Sequence, residues 1–421
     1  MAEQIGPAGG LRVAVLTRAV APLHGVGGLE RSTGDLVAHL LRRGVRITLL
    51  TRPPTMPGGW SARDLAVRYV PYLTFPFAGR RGTTILDRST SYLLFGYRLG
   101  REAARLASAG EIDLVYGLGA SVLGYAMARR HLPGRTVPLV LNPQGLEEFG
   151  GTDGNYGGMP SKRFVYGPLR RAVRYCAGAA DCVIATDRSL EPLITRALPV
   201  RPDRVRLVPN AVDLEACDAL AVPADGERVR RVHGIAPDER VLLSVARLER
   251  NKGLHVMADA LGTLTDLAWR WVLVGDGPFK RVIEDRAASL GIQDRVIMAG
   301  RTDDSTLHAW YEAASVFVHP TLYEGSSIVT LEAMAHRRAV VATRAGGLPD
   351  KVRPGLNGWL VPPGDGPSLS KAIRAALDSG PALATMGRAG RALAEAEFSW
   401  DRSAGRMLAV FEDLTAAPRP A

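Results

Sequence analysis

The sequence predicts an α/β chain made of two doubly wound units in tandem. Three observations carry that expectation. A length of 421 residues exceeds one ordinary core and suits two domains of roughly 200 residues. Short apolar runs rich in β-branched residues alternate with segments of helical spacing, the pattern of parallel sheets covered by helices. Several of these runs end in glycine turns that lead into a helix, and ligands of open α/β sheets bind at that edge. No period of roughly 20–50 residues recurs, which argues against a solenoid.

Composition narrows the function classes. The apolar fraction of 46% and charged fraction of 23% are those of a soluble globular protein. Cys176, Cys182 and Cys217 lack metal-ligand spacing and read as reduced thiols of a cytosolic protein. Residues 1–10 carry no apolar core of a signal peptide, and no run of about 18 apolar residues follows, so neither a leader nor a membrane-spanning helix is expected. Charge is uneven: residues 1–210 hold 28 Lys and Arg against 15 Asp and Glu, net +13, whereas residues 211–421 hold 25 against 27, net −2. A basic first half implies an anionic partner. Nucleic acid is not expected, because zinc spacing, RNP-like motifs and basic heptads are all missing. A phosphorylated acceptor or an anionic membrane surface fits better.

Residues 11–17 form the first expected strand. His24-Gly25-Val26-Gly27-Gly28 is a glycine turn, and a helix then runs from 29 to about 43. Gly44 ends that helix as a C′ residue should, and residues 45–50 form the second strand. Gly27 and Gly28 would let the backbone approach a phosphate, and His24 is either an acceptor contact or a loop histidine. Residues 52–100 read as irregular, broken by Pro53, Pro54, Pro57, Pro71 and Pro76. Aromatic and basic side chains interleave there: Tyr72, Phe75 and Phe77 precede Arg80 and Arg81, and Tyr92, Phe95 and Tyr97 precede Arg98 and Arg101. Strands are expected at 113–117, 137–142, 181–186 and 205–210. Between them lie a polar turn with Gln144, Glu147 and Glu148, a glycine-rich loop at 150–158 and a basic helix at 161–176. The first domain therefore ends at 210, and 211–238, with Pro223, Asp225, Gly226 and Pro237, reads as a linker.

From 239 to 397 the alternation is cleaner, with strands expected at 241–246, 270–275, 295–299, 315–319, 339–343 and 358–361. Pro320 ends the fourth of these. The turn Tyr323-Glu324-Gly325 follows, and then a helix with Ser326 or Ser327 as its N-cap. The first N–H groups of a helix have no partner inside it and form an anion site. Glu324 and Glu332 flank this positive pole. Acids would repel a phosphate, so they read as acceptors for the hydroxyls of a nucleotide sugar; the alternative is a capping Glu324 and a solvated Glu332. Arg247 and Lys252 follow the strand at 241–246 and are placed to reach a diphosphate, one as a planar fork and one as a point charge. The turn Gly275-Asp276-Gly277-Pro278 is a further candidate to lie against a base or ribose.

Six motifs occur in order: Arg-Leu-Glu-Arg-Asn-Lys-Gly at 247–253, Val-Leu-Val-Gly-Asp-Gly-Pro at 272–278, Ala-Gly-Arg-Thr-Asp-Asp at 299–304, His-Pro-Thr-Leu-Tyr-Glu-Gly-Ser-Ser at 319–327, Gly-Gly-Leu-Pro-Asp at 346–350 and Asn-Gly-Trp-Leu-Val-Pro-Pro-Gly-Asp at 357–365. With the Glu-x7-Glu pair they resemble the retaining glycosyltransferases of family 4, which have the GT-B fold of two Rossmann-like domains facing across a cleft. The resemblance is strongest over 205–365. It extends to Gly-Gly-Leu-Glu at 27–30 and to Phe398-Ser399-Trp400-Asp401, where a terminal helix, here 398–421, packs back on the first domain.

The resemblance implies a nucleoside-diphosphate-sugar donor, transfer of a hexosyl-type sugar to an acceptor hydroxyl, and no metal or other cofactor. Arg247 and Lys252 would bind the diphosphate, Glu324 would act at the sugar, and Glu332 would hold the ribose. The amides of Gly325, Ser326, Ser327 and Ile328 would hold phosphate or sugar, with Arg301 near the base. Gly27 and Gly28 would face the donor, and His24 and Gln144 the acceptor. Two departures stand out. Many members have Gly-Phe-Gly after the first glutamate, where this chain has Gly-Ser-Ser. Many also have an acceptor-side histidine where this chain has Asn142, Pro143 and Gln144. Two other readings use the same residues: an epimerase or phosphorylase of the same fold, and an inactive sugar-nucleotide binder. The expected location is cytoplasmic, with a peripheral contact to an anionic membrane and a lipid-linked or phosphorylated acceptor.

Overall fold

The computed structural model describes residues 10–416 apart from 26, 75–86, 88, 133–136, 145, 147–148 and 150–161. Two compact units divide the chain, one of residues 1–209 with 400–421 and one of residues 210–399.

In the first unit seven strands form one parallel sheet, ordered β3-β2-β1-β4-β5-β6-β7. They are β1 (Arg12–Leu16), β2 (Arg46–Thr51), β3 (Leu65–Tyr69), β4 (Leu114–Leu118), β5 (Leu139–Asn142), β6 (Cys182–Ala185) and β7 (Val205–Leu207). The central strands are continuous apolar runs because helices cover both faces of the sheet. Helix α1 (Gly28–Arg42) follows β1, α2 (Ser91–Ser108) precedes β4, and α3 (Gly167–Ala179) precedes β6. Leu16, Phe95, Val115, Tyr125, Leu141 and Val183 lie in one buried cluster.

Among its described residues, the stretch read as irregular, 52–100, holds strand β3 and the start of helix α2. Strand β3 is the sheet edge, and its exposed side chains gave no apolar run to read. Helix α2 contains Gly96 and Gly100, poor helix formers whose missing side chains let the helix lie directly on the backbone of residues 120–125. The glycine-rich loop at 150–158 and the residues Phe75, Phe77, Arg80, Arg81, Glu147 and Glu148 lie outside the described residues.

The second unit begins with two helices where a linker was expected: α4 (Leu214–Leu220) and α5 (Pro223–Val232). Asp213 caps α4 by accepting from the Ala216 N–H at 3.0 Å. Pro223 opens α5, and Asp225 lies in its first turn. These residues looked like linker punctuation, yet proline and acid at the first turn are helix-start signals.

Six parallel strands follow in the order β10-β9-β8-β11-β12-β13. They are β8 (Arg240–Val245), β9 (Trp269–Val274), β10 (Val296–Gly300), β11 (Val316–His319), β12 (Ala339–Thr343) and β13 (Gly358–Val361). Alternate residues fill the two faces: Leu243, Phe317 and Val340 join one buried cluster, and Leu242, Trp271 and Val341 the other. Helix α6 (Leu254–Gly262) follows β8, α7 (Asp304–Ala313) follows β10, and α8 (Ile328–Ala335) follows β11.

The last helix, α9 (Trp400–Ala416), belongs to the first unit. Trp400 Nε1 donates to Asp35 of α1 at 3.1 Å, and the buried Phe411 ring lies 5.8 Å from that of Tyr116.

Candidate functional site

In the second sheet β8 has β9 on one side and β11 on the other, so the strand order reverses between β8 and β11. Open parallel sheets bind ligands at the carboxyl end of such a reversal. The loops after β8 and β11 meet there. Leu322 N–H and Thr321 Oγ1 both donate to the Asn251 carbonyl, at 2.8 and 3.0 Å. Gly253 has φ +65°, and a Cβ there would lie 1.9 Å from the Pro320 carbonyl oxygen. Glycine is what allows the two loops to touch.

Across this junction Lys252 Nζ lies 3.0 Å from Glu324 Oε2, and His319 Nε2 lies 2.6 Å from the same oxygen. The other oxygen, Oε1, accepts from the Gly325 N–H at 3.1 Å. The side chains of Lys252 and Glu324 are only 18% and 13% exposed. Burial pushes the Glu324 pKa up, but the Lys252 charge and the His319 hydrogen bond outweigh it and hold the carboxyl well below the usual carboxylate range. Glu324 is thus ionised and its charge is locally balanced. Arg247 differs: its side chain is 79% exposed and lies 3.3 Å from Glu249, a contact that solvent weakens.

Ser327 is the N-cap of α8, its Oγ accepting from the Thr330 N–H. Gly325 and Ser326 form the preceding turn, and Ile328 is the first helical residue. Glu332 lies one turn into the helix and is 4% exposed, so it is not solvated; it accepts from Tyr311 Oη of α7 at 2.9 Å. Arg301 is exposed just past β10, and Asp276 is exposed just past β9. All these residues follow carboxyl ends of one sheet.

Behind the turn runs the segment after β12. Gly347 N–H donates to the Gly325 carbonyl at 3.0 Å, and Lys351 Nζ, on a fully buried side chain, lies 3.1 Å from Ser326 Oγ and 3.3 Å from the Gly347 carbonyl. Gly346 has φ +50°, and a Cβ there would sit 1.8 Å from the Glu324 carbonyl oxygen. Gly346→Ala should therefore displace the turn, costing about 1–3 kcal/mol of stability. Thermal melting checks this, and a wild-type melting temperature would refute it.

His319, Lys351 and Tyr311 were not singled out as site residues. His319 had a legible signal, a titratable residue closing an otherwise apolar strand. Lys351 had a fainter one, a lysine between Leu348 and Val352. Tyr311 meets Glu332 only through tertiary packing.

In the first unit Gly27 and Gly28 form the exposed start of α1, with Glu30 in its first turn. His24 is buried. Its Nδ1 accepts from the Val20 N–H at 3.1 Å and its Nε2 donates to the Arg52 carbonyl at 2.9 Å. Burial lowers its pKa, so it is a neutral loop histidine whose two ring nitrogens are taken by backbone. The acceptor contact expected of it is not what this geometry offers. Gln144 is half-buried with φ +63°, and its N–H donates to Asn142 Oδ1 at 3.0 Å.

Residues 26–216 match the family described as Glycosyltransferase Family 4, and residues 225–393 match Glycosyl transferases group 1. A D-inositol 3-phosphate glycosyltransferase of Acidothermus cellulolyticus is 34% identical over 272 residues, which are 60% of this chain and 58% of that protein. The MMP alpha-(1->4)-mannosyltransferase of Mycolicibacterium hassiacum is 32% identical over 260 residues, 61% of this chain and 60% of that protein. The chain thus spans less than two thirds of the length of these relatives. Among solved structures, sucrose-phosphate synthase of Thermosynechococcus elongatus superposes with a TM-score of 0.77 at 23% identity, over 97% of this chain and 100% of that one. Anabaena HepE in complex with UDP gives 0.72 at 20% identity, over 96% and 100%. With two parallel sheets of this order and two consecutive family matches, the chain belongs to the glycosyltransferases of the GT-B fold.

Proposed function

We propose that the chain moves a hexosyl-type sugar from a nucleoside-diphosphate sugar to an acceptor hydroxyl with retention at the anomeric carbon. The observation that carries this reading is the Lys252–Glu324–His319 cluster, which lies beside the start of α8 at the strand-order reversal. Breaking a sugar–diphosphate bond puts negative charge on the leaving phosphate and positive charge on the anomeric carbon. Lys252, the exposed Arg247 and the first N–H groups of α8 suit the former, and the ionised Glu324 suits the latter. The leaving phosphate then takes the proton of the incoming hydroxyl on the same face, so no protein nucleophile is needed. These cations supply charge that a metal would otherwise bring, and the chemistry calls for no cofactor. Glu332 and the exposed Arg301 are assigned to the ribose and the base.

The test is release of nucleoside diphosphate from a panel of nucleotide sugars, with and without candidate acceptors. Release only when a hydroxyl acceptor is present is expected. Release without acceptor would indicate hydrolysis, with water taking the sugar, or a hydrolysing epimerase, and binding without turnover on any acceptor would indicate an inactive binder.

The acceptor is assigned as phosphorylated or lipid-linked, on the cytoplasmic face of a membrane. The relative named for D-inositol 3-phosphate favours a phosphorylated one, and the excess charge of residues 1–210 favours an anionic partner. The rings expected at a membrane are only partly available: Phe95 is core, and Tyr92 is half-buried with its hydroxyl on the Leu118 carbonyl. Helix α2 nevertheless turns Leu94, Tyr97, Arg98, Arg101 and Arg105 outward on one face, next to exposed Met127. No helix among the described residues is long and apolar enough to cross a membrane. Such a stripe suits an anionic interface, where each basic residue contributes about 1 kcal/mol. Co-sedimentation with vesicles should rise with anionic lipid and fall with salt; protein left in the supernatant at low salt would point to a soluble acceptor.

A further inference from the structure

The second unit gathers Cys217, His308 and His336 at the carboxyl end of α8, away from the donor turn at its other end. Cys217 comes from α4, His308 from α7, and His336 caps α8. All three are buried, and one ligand atom from each lies within 4.8 Å of the others. His308 Nδ1 is 2.7 Å from His336 Nε2, so one proton is shared between the rings. The far nitrogen of His336, Nδ1, donates to Glu312 Oε1 at 2.6 Å, and Arg338 holds the second oxygen of that carboxylate at 3.1 Å. Tyr311 stacks on the His336 ring at 5.2 Å.

A thiol and two imidazoles form the sulfur–nitrogen donor set that borderline-soft divalent cations select. The carboxylate on the far nitrogen of His336 is the outer partner that metal-bound histidines almost always have, fixing the tautomer so that Nε2 points its lone pair inward. We propose that Cys217, His308 and His336 form a zinc site joining α4, α7 and the end of α8. Zinc takes the Cys217 sulfur as thiolate, releasing the thiol proton, and one nitrogen from each ring; the proton now between the rings moves to Nε2 of His308, so both imidazoles stay neutral. Two Zn–N bonds of about 2.0–2.1 Å at a tetrahedral angle separate the nitrogens by about 3.3 Å, so the rings part by roughly 0.6 Å, within the reach of side-chain torsions. A water completes the four positions. The cation also lies where the last carbonyls of α8 carry partial negative charge.

This role is structural and separate from sugar transfer. It steadies the helix that carries Glu332, and through Tyr311 it touches the group that holds the Glu332 carboxylate.

The full chain, purified without chelators or metal-affinity resin, should carry about one zinc per molecule by elemental analysis. Stripped protein should melt at a lower temperature and recover when zinc chloride is added. With cobalt in place of zinc, a thiolate-to-cobalt absorption should appear, and Cys217→Ser should abolish it. Should that variant fail to fold, the metal content and melting of the unmodified chain still decide the matter. Zinc below roughly a tenth per chain, together with no rise in melting temperature when zinc is added to stripped protein, overturns the site. So does a cobalt spectrum unchanged in Cys217→Ser.

Discussion

Lys252→Ala is expected to lower turnover by about two to three orders of magnitude, the loss seen when a preorganised charge at a developing anion is removed. The reason lies in where the ammonium sits. Held at 3.0 Å from Glu324 at the strand-order reversal, it needs no large motion to meet a diphosphate. Arg247 starts from an exposed position on Glu249 and must leave that partner to reach the donor, so Arg247→Ala should cost about two orders of magnitude, at the lower end of that range. Steady-state kinetics on variants shown to be folded by thermal melting check both. Unchanged turnover in the two single variants would remove the diphosphate assignment altogether.

Glu324→Gln should also lower turnover by about two orders of magnitude or more, but with a different companion effect. Amide for carboxylate keeps the volume and removes the charge that Lys252 balances and that His319 hydrogen-bonds. Lys252 is then free to interact with phosphate, so free nucleoside diphosphate should bind as well as before or more tightly. Glu332→Gln should do the reverse, weakening the nucleotide directly; the opposite pattern would exchange the two roles. The pH dependence has a definite sign. Because the folded pKa of Glu324 is depressed, the stability it contributes is fully present above the ordinary glutamate value of about 4.3. That stability is lost only as pH falls through the lower folded value. The difference in melting temperature between wild type and Glu324→Gln should therefore be flat near neutrality and shrink only in strong acid.

The sheets were legible where strands are buried on both sides, because such strands are unbroken apolar runs: β8, β9, β11 and β12 all read directly. Strand β3 did not, since an edge strand with one solvated face lacks that signal. Helix α2 was hidden by glycines that exist for close packing, a tertiary reason that local propensity does not record. Helices α4 and α5 were hidden because Pro223 and Asp225 serve equally in linkers and in first turns. Within the candidate site, the placement of Arg247, Lys252 and Glu324 after strand ends and of Ser327 at the helix start was readable from turn chemistry and spacing. The pairing of Glu324 with Lys252, 72 positions apart, was not readable, because only the parallel crossover brings β8 and β11 side by side. Nor could spacing tell that His24 faces the backbone, or that Glu332 is buried under Tyr311.

The return of α9 to the first unit has a consequence for biosynthesis. The second unit is one uninterrupted segment, whereas the first needs residues that are translated only after the second is complete. At about 5–20 residues per second, a unit of this size occupies roughly 10–40 s of synthesis. Throughout that interval the nascent first unit lacks Phe411 against Tyr116 and Trp400 against Asp35. Its apolar surface stays open to chaperones or to wrong partners for as long. The half made first is thus the half finished last. A released chain that ends at Ser399 should hold a protease-resistant second unit beside a protease-sensitive first one.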